Sequence, residues 1–130
     1  MEETTRKKIL IIEDEMSQRK ALMDKFTREG FSVLEARDGE EGLRIALSDR
    51  PNLILLDIIM PVMDGMTMLK KLRQENDWGK NVPVTLLTNL NPYNGKVDKV
   101  ITGEEPAYYL VKSNWTINEV VEKVKARLNI

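Results

Sequence analysis

Unbroken aliphatic runs alternate along this chain with segments whose apolar residues recur every three or four positions. Ile9-Leu10-Ile11-Ile12 and Leu53-Ile54-Leu55-Leu56 are continuous apolar runs, a pattern that suits strands buried on both faces of a sheet. Phe31-Ser32-Val33-Leu34-Glu35-Ala36 instead alternates with polar breaks, which suits a sheet edge. Val82 to Thr88 supplies a fourth strand and Ala107 to Val111 a fifth. The intervening segments follow a helical repeat. The first runs roughly from Ser17 to Glu29, with Ala21, Leu22, Lys25 and Phe26 on one face and Gly30 to stop it. Asp38 caps a second with the stripe Leu43, Ala46 and Leu47, which ends before Pro51. Asp64 caps a third, carrying Met66, Leu69 and Leu72, which frays into a polar loop from Gln74 to Asn81 that holds Trp78. Asn91-Pro92 opens a short fourth helix, with Val97, Val100 and Ile101 as its apolar face and Gly103 beyond its end. Thr116 caps a last one, with Ile117, Val120, Val121, Val124 and Leu128 at helical spacing. Five strands alternating with five helices across short connections predict a doubly wound parallel α/β sheet covered on both faces. No linker or repeat interrupts the pattern, so one domain is expected over residues 1–130, with its core at about 7–129.

The strand ends carry the chemistry. The first strand runs into Glu13-Asp14-Glu15, the third into Asp57, the fourth ends at Thr88 and the fifth delivers Lys112. In open α/β sheets, ligands gather outside the carboxyl ends of the strands at the point where the strand order reverses. With the order 2-1-3-4-5, strands one and three are central neighbours, so Glu13, Asp14 and Asp57 meet, with Thr88 and Lys112 on the same rim. Converging carboxylates repel unless a cation neutralises them. Hard oxygen ligands without His or Cys favour Mg²⁺ or Mn²⁺ over zinc. A carboxylate nucleophile with a metal on one side and hydroxyl and ammonium donors on the other suits phosphoryl transfer to Asp57, because the transferred group spreads negative charge over three oxygens.

Composition narrows the field. The chain of 130 residues has no cysteine and no histidine, which excludes a disulfide framework, a thiolate zinc site and a phosphohistidine of its own. Lys and Arg number 20 against 21 Asp and Glu, interspersed, with no basic block to track nucleic-acid phosphates. Met1 to Lys8 is polar and no apolar run approaches a membrane span, so a soluble cytoplasmic protein is expected, with no direct contact to nucleic acid or membrane.

These residues resemble the receiver domain of bacterial response regulators, the phosphoacceptor modules of two-component phosphorelay signalling, from Ile9 to Leu128. Ile9-Leu10-Ile11-Ile12-Glu13-Asp14-Glu15 is similar to the family's acidic segment, and Asp57-Ile58-Ile59-Met60-Pro61-Val62-Met63-Asp64-Gly65 to its phosphoacceptor signature. Thr88 corresponds to the switch hydroxyl, Tyr109 to the switch aromatic and Lys112 to the family's lysine. The resemblance implies a flavodoxin-like fold. It also implies that Asp57 accepts a phosphoryl group from the histidine of a sensor kinase or a histidine phosphotransfer protein. Mg²⁺ would be held by Glu13, Asp14, Asp57 and the backbone carbonyl of Ile59. Thr88 and Tyr109 would then rearrange, switching the surface made by the fourth helix, the fifth strand and the last helix for an unnamed protein target. By the same resemblance the chain is not an enzyme beyond assisting its own phosphorylation and dephosphorylation, and is a monomer or a weak phosphorylation-dependent dimer. It stops after the last helix with no effector domain, so a stand-alone regulator or a receiver cut from a longer protein is expected.

Four departures from the family pattern stand out, one of them a short fourth helix that carries Asn94-Gly95. Asn89 follows Thr88 where a small residue is usual, which predicts narrowed access to Asp57 and slower chemistry. Ser113 replaces the usual proline after Lys112, and Gly103-Glu104-Glu105-Pro106 replaces the usual Gly-Ala turn before the fifth strand. Competing functions fit less well. An aspartate-nucleophile phosphatase-like hydrolase needs a second acid near Asp57, where Ile58 and Ile59 stand. A flavin or nucleotide binder needs a phosphate-cradling first loop, and Glu13-Asp14-Glu15-Met16 repels phosphate. A phosphorylation-independent pseudo-receiver is disfavoured because every reactive position is filled. The methionines Met60, Met63, Met66 and Met68 are expected in loop and core packing rather than a partner groove, and Trp115 to be partly exposed.

Overall fold

The computed structural model describes residues 6–89 and 108–130. Five parallel strands, β1 (Lys8–Ile12), β2 (Ser32–Ala36), β3 (Leu53–Leu56), β4 (Val84–Thr88) and β5 (Tyr108–Val111), form one sheet in the order β2-β1-β3-β4-β5. The helices are α1 (Met16–Arg28), α2 (Gly39–Asp49), α3 (Gly65–Glu75), the short α4 (Asp77–Asn81) and α5 (Ile117–Leu128). The predicted helix opened by Asn91-Pro92, and Gly103-Glu104-Glu105-Pro106, lie outside the described residues.

Side chains of a strand point alternately to the two faces, and the central strands use both. Leu10, Ile12, Ile54, Leu56, Val84 and Leu86 pack on one face against Ala46 of α2 and Met68, Leu69 and Leu72 of α3. Ile9, Ile11, Leu53, Leu55 and Leu87 pack on the other against Leu22 and Phe26 of α1 and Val120, Val121 and Val124 of α5. The apolar runs of β1 and β3 are long because both faces are covered. β2 has helices beside it but only one strand neighbour, and Ser32 and Glu35 on it are exposed. The methionines behave as expected: Met60 and Met68 are core, with Met63 and Met66 packed against it.

Caps fix the helix starts. The carboxylates of Asp38 and Asp64 accept from the backbone N–H of Glu41 and Thr67, and Thr116 and Glu119 form a reciprocal capping box. Gly30 follows α1 at φ 95°, a left-handed backbone that costs a side-chain-bearing residue strain. Two expectations fail. Ala21 is exposed and Lys25 only half-buried, while the buried face of α1 is Arg19, Leu22 and Phe26. The supposed loop from Gln74 to Asn81 contains α4. Asn76 caps it by accepting from Gly79 N–H, Arg73 Nη1 donates to the carbonyls of Gly79 and Val82 at 2.8 and 2.7 Å, and Trp78 packs onto the core. Sequence periodicity does not see a one-turn helix that side-chain bonds from neighbouring residues hold together.

Candidate phosphoacceptor and metal site

The parallel register sets the site. Ile12 pairs with Leu56, so the next residues, Glu13 and Asp57, leave the sheet side by side. Asp57 N–H still donates to the Ile12 carbonyl at 3.1 Å, and Glu13 N–H to the Ala36 carbonyl at 3.0 Å. Both side chains are therefore carried by backbone that remains tied to the ladder. Thr88 ends β4, where it pairs with Val111 of β5, and the next residue is Lys112, at the head of a 3₁₀ turn (Lys112–Asn114).

Glu13 and Asp57 are buried, at 3% and 8% exposure, whereas Asp14 is exposed. Carboxylate oxygens of Glu13, Asp14 and Asp57 all lie within 4.8 Å of one another. Asp57 Oδ1 accepts from the N–H of Ile58 at 2.7 Å, while Oδ2 faces Lys112 Nζ at 3.2 Å. The same ammonium donates to Glu13 Oε1 and to Gln18 Oε1. Glu13 Oε2 accepts from Glu15 N–H at 3.1 Å.

The electrostatics follow from crowding. Burial raises the Glu13 pKa above the ordinary carboxylate value, the Lys112 hydrogen bond opposes this, and the Asp57 charge pushes it up again. Burial pulls Lys112 down, but its hydrogen bond to Glu13 and the Asp57 and Glu13 charges outweigh that, so Lys112 is raised and stays an ammonium. Tyr109 is half-buried against the core, and burial followed by the Asp57 charge raises its phenol. One ammonium therefore serves two buried carboxylates, and a third carboxylate leaves the cluster short of positive charge. Oxygen-only donors with excess negative charge fit a hard divalent cation.

The geometry thus places Glu13, Asp14, Asp57 and Lys112 together, with Thr88 on the same rim. Thr88 is 1% exposed. Ile59 stands two residues past Asp57 in the β3–α3 loop and is 62% exposed.

Residues 9–125 match the family model described as the response regulator receiver domain. The chain belongs to the response regulator receiver family. Among relatives of this receiver, the probable transcriptional regulator ycf27 of Cyanophora paradoxa is 41% identical over 103 residues, covering 79% of this chain and 40% of that protein. The alkaline phosphatase synthesis transcriptional regulatory protein PhoP of Bacillus subtilis (strain 168) is 36% identical over 122 residues, covering 94% and 48%. The chain thus spans less than half the length of these two relatives. The chemotaxis response regulator CheY4 of Vibrio cholerae superimposes with a TM-score of 0.82 at 27% identity, covering 94% of this chain and 98% of that one. Receiver domains are two-component signalling modules.

Of the departures noted in the sequence, Asn89 and Ser113 lie among the described residues. Asn89 follows Thr88 and is exposed. Ser113 is the middle residue of the 3₁₀ turn, and every described peptide bond, Lys112–Ser113 included, is trans. Trp115 is half-buried, with Lys123 Nζ 4.9 Å from its ring centroid. Sequence reading missed two residues of this neighbourhood, Gln18 beside Lys112 and Arg19 beneath the acidic pair. Both lie on α1 one turn from the acids; the only signal was the charge of Arg19 interrupting the apolar repeat of that helix, and Gln18 gave none. No described helix is long and apolar enough to cross a membrane.

Proposed function

We propose that this receiver accepts a phosphoryl group on Asp57 from a phosphohistidine of a sensor kinase or phosphotransfer protein, and that the product changes its binding surface. The observation that carries this reading is the arrangement at Asp57: one carboxylate oxygen is fixed by the Ile58 N–H, the other lies 3.2 Å from an ammonium, and the carboxylate comes within 4.8 Å of two further acids. A bond forms between an Asp57 carboxylate oxygen and phosphorus as the P–N bond to the partner's imidazole breaks, its electron pair returning to the nitrogen. Water later attacks the acyl phosphate, releasing inorganic phosphate and restoring the carboxylate. Glu13, Asp14, Asp57 and the carbonyl of Ile59 would hold Mg²⁺ or Mn²⁺, which when bound neutralises charge on the transferring group.

The chain's own groups do the rest. Lys112 leaves part of its bonding with Glu13 to meet a phosphoryl oxygen, a donor already positioned and desolvated. Thr88 turns its hydroxyl toward another such oxygen, and the half-buried Tyr109 ring takes up the space behind it, because a packed core does not keep a void at low cost. A shift at these positions reaches β5, and through it the output face. An apolar groove of about 180 Å³ between α1 and α5, with Lys112 at its edge and Leu22, Leu87, Trp115 and Val120 on its walls, supports an approach of the partner's helix from that side. In this reading the domain is cytoplasmic, its partners are proteins rather than nucleic acid, and it is a monomer or a weak phosphorylation-dependent dimer. It catalyses nothing beyond its own phosphorylation and dephosphorylation.

Intact mass after incubation with acetyl phosphate tests the reading. One phosphoryl adduct that needs Mg²⁺ and vanishes with EDTA is expected; an adduct indifferent to metal, or none in the presence of bound Mg²⁺, contradicts it.

A further inference from the structure

Arg19 is a buried cation on α1 that makes no hydrogen bond to any of the three clustered carboxylates. It is 7% exposed, although its neighbours on the same buried helical face are Leu22 and Phe26. A guanidinium persists in such a place only where its hydrogen bonds are made. Here Nη1 donates to the backbone carbonyl of Glu13 at 2.9 Å and reaches that of Asp14 at 3.5 Å, while Nε donates to the Glu35 carboxylate at 2.9 Å. Two consecutive acidic residues thus have their carbonyls turned toward one donor group behind the loop.

We propose that Arg19, braced from β2 by Glu35, is a positioning residue that holds the backbone of Glu13 and Asp14 so that their carboxylates are set for a divalent cation before it arrives. This rests on the metal-assisted reading of the site given above. The second residue matters as much as the first. Glu35 fixes the guanidinium plane through Nε, leaving Nη1 for the carbonyls, and it balances the charge that would otherwise oppose a cation on the far side of the loop. Without the pair, the β1–α1 loop must be ordered at the moment of metal binding, and affinity falls by the cost of that ordering.

The test is calorimetric titration of Mg²⁺ into wild type, Arg19→Gln, Glu35→Gln and Asp14→Ala, alongside urea unfolding of each in EDTA. Outer-shell partners of metal ligands are worth about 10–100-fold in affinity. Arg19→Gln is expected to raise the Mg²⁺ Kd about tenfold, with Glu35→Gln moving it in the same direction and Asp14→Ala removing binding. The Mg²⁺ concentration that half-saturates phosphorylation by acetyl phosphate should rise by the same factor as the Kd. A purely architectural Arg19 would lower the urea midpoint without moving the Kd of the folded protein. Kd values within twofold of wild type for both folded variants overturn the proposal while leaving the metal site intact. Wild type that binds no Mg²⁺, like Asp14→Ala, overturns the underlying reading as well. If Arg19→Gln does not fold, Glu35→Gln decides alone, since the Glu35 side chain is 50% exposed.

Discussion

Replacing Asp57 with Asn should stabilise the metal-free protein and destabilise it relative to wild type once Mg²⁺ is present. In the absence of metal, Asp57 faces Glu13 and Asp14 with oxygens within 4.8 Å and a single cation, Lys112, at 3.2 Å. At an effective dielectric near 20, each like-charge contact at that separation costs about 3–4 kcal/mol and the Lys112 attraction is worth about 5 kcal/mol. Two repulsions against one attraction leave Asp57 unfavourable by about 2 kcal/mol, and solvent screening at the exposed Asp14 brings this to about 1 kcal/mol. Asparagine keeps an oxygen to accept from Ile58 N–H, so the loop bond at 2.7 Å survives the change. The gain corresponds to a rise of about 3–5 °C in Tm for a domain of this size. Mg²⁺ at a hundred times its Kd adds about 2.7 kcal/mol to a protein that binds it, and in the metal site proposed above Asp57→Asn removes one of the ligands. The order of stabilities should therefore reverse. Urea unfolding followed by tryptophan fluorescence, in EDTA and in Mg²⁺, reads both halves. A variant less stable than wild type in EDTA, or stabilised by Mg²⁺ as much as wild type, refutes the electrostatic reasoning.

Three further outcomes are expected. A Cβ on Gly65 would stand 2.1 Å from the Asp57 carbonyl oxygen and 2.9 Å from Ile58 Cα, both rigid backbone; Gly65→Ala should cost about 3 kcal/mol in urea unfolding and impair phosphorylation of Asp57, and a midpoint equal to wild type would contradict it. Val62 is β-branched at φ 68° and 75% exposed, so Val62→Asn should relieve strain without loss of packing and raise stability by about 1 kcal/mol, read as a higher Tm. Hydrogen bonds from Lys125 and then Lys25, with their charges, hold the Glu29 carboxyl below its ordinary value. A depressed acid contributes stability that is present above its unfolded pKa, near 4.5, and lost as pH falls through the folded value. The stability difference between wild type and Glu29→Gln should shrink across that acidic window, and a difference independent of pH below 5 would exclude a stabilising role for the Lys125 and Lys25 ion pairs.

The legible part of this fold was the part set by long apolar patterns and strong caps. β1 and β3 announce themselves because burial on both faces leaves no polar residue in Ile9–Ile12 or Leu53–Leu56. Asp38, Asp64 and Thr116 announce helix starts because their side chains satisfy backbone N–H groups that no turn of helix can reach. The strand-end acids were legible for a topological reason: once β1 and β3 are neighbours, residues 13 and 57 have nowhere else to be. What periodicity hid were contacts made by single polar side chains across sequence. Arg73 and Asn76 build α4 from a stretch that reads as loop, and Arg19 occupies a position on α1 where the repeat calls for an apolar residue. Lys112 was expected at the end of β5 but not its contact with Gln18, a bond spanning 94 positions in the chain.

Asp57 is the one carboxylate proposed above to carry the phosphoryl group. The direct measurement is reduction of the acetyl-phosphate-treated protein with borohydride, which converts an acyl phosphate to an alcohol, followed by peptide mapping by mass spectrometry. Conversion of residue 57 to homoserine, only after treatment in the presence of Mg²⁺, is the result expected. Conversion at Asp14, or no conversion at any carboxylate, would contradict the account.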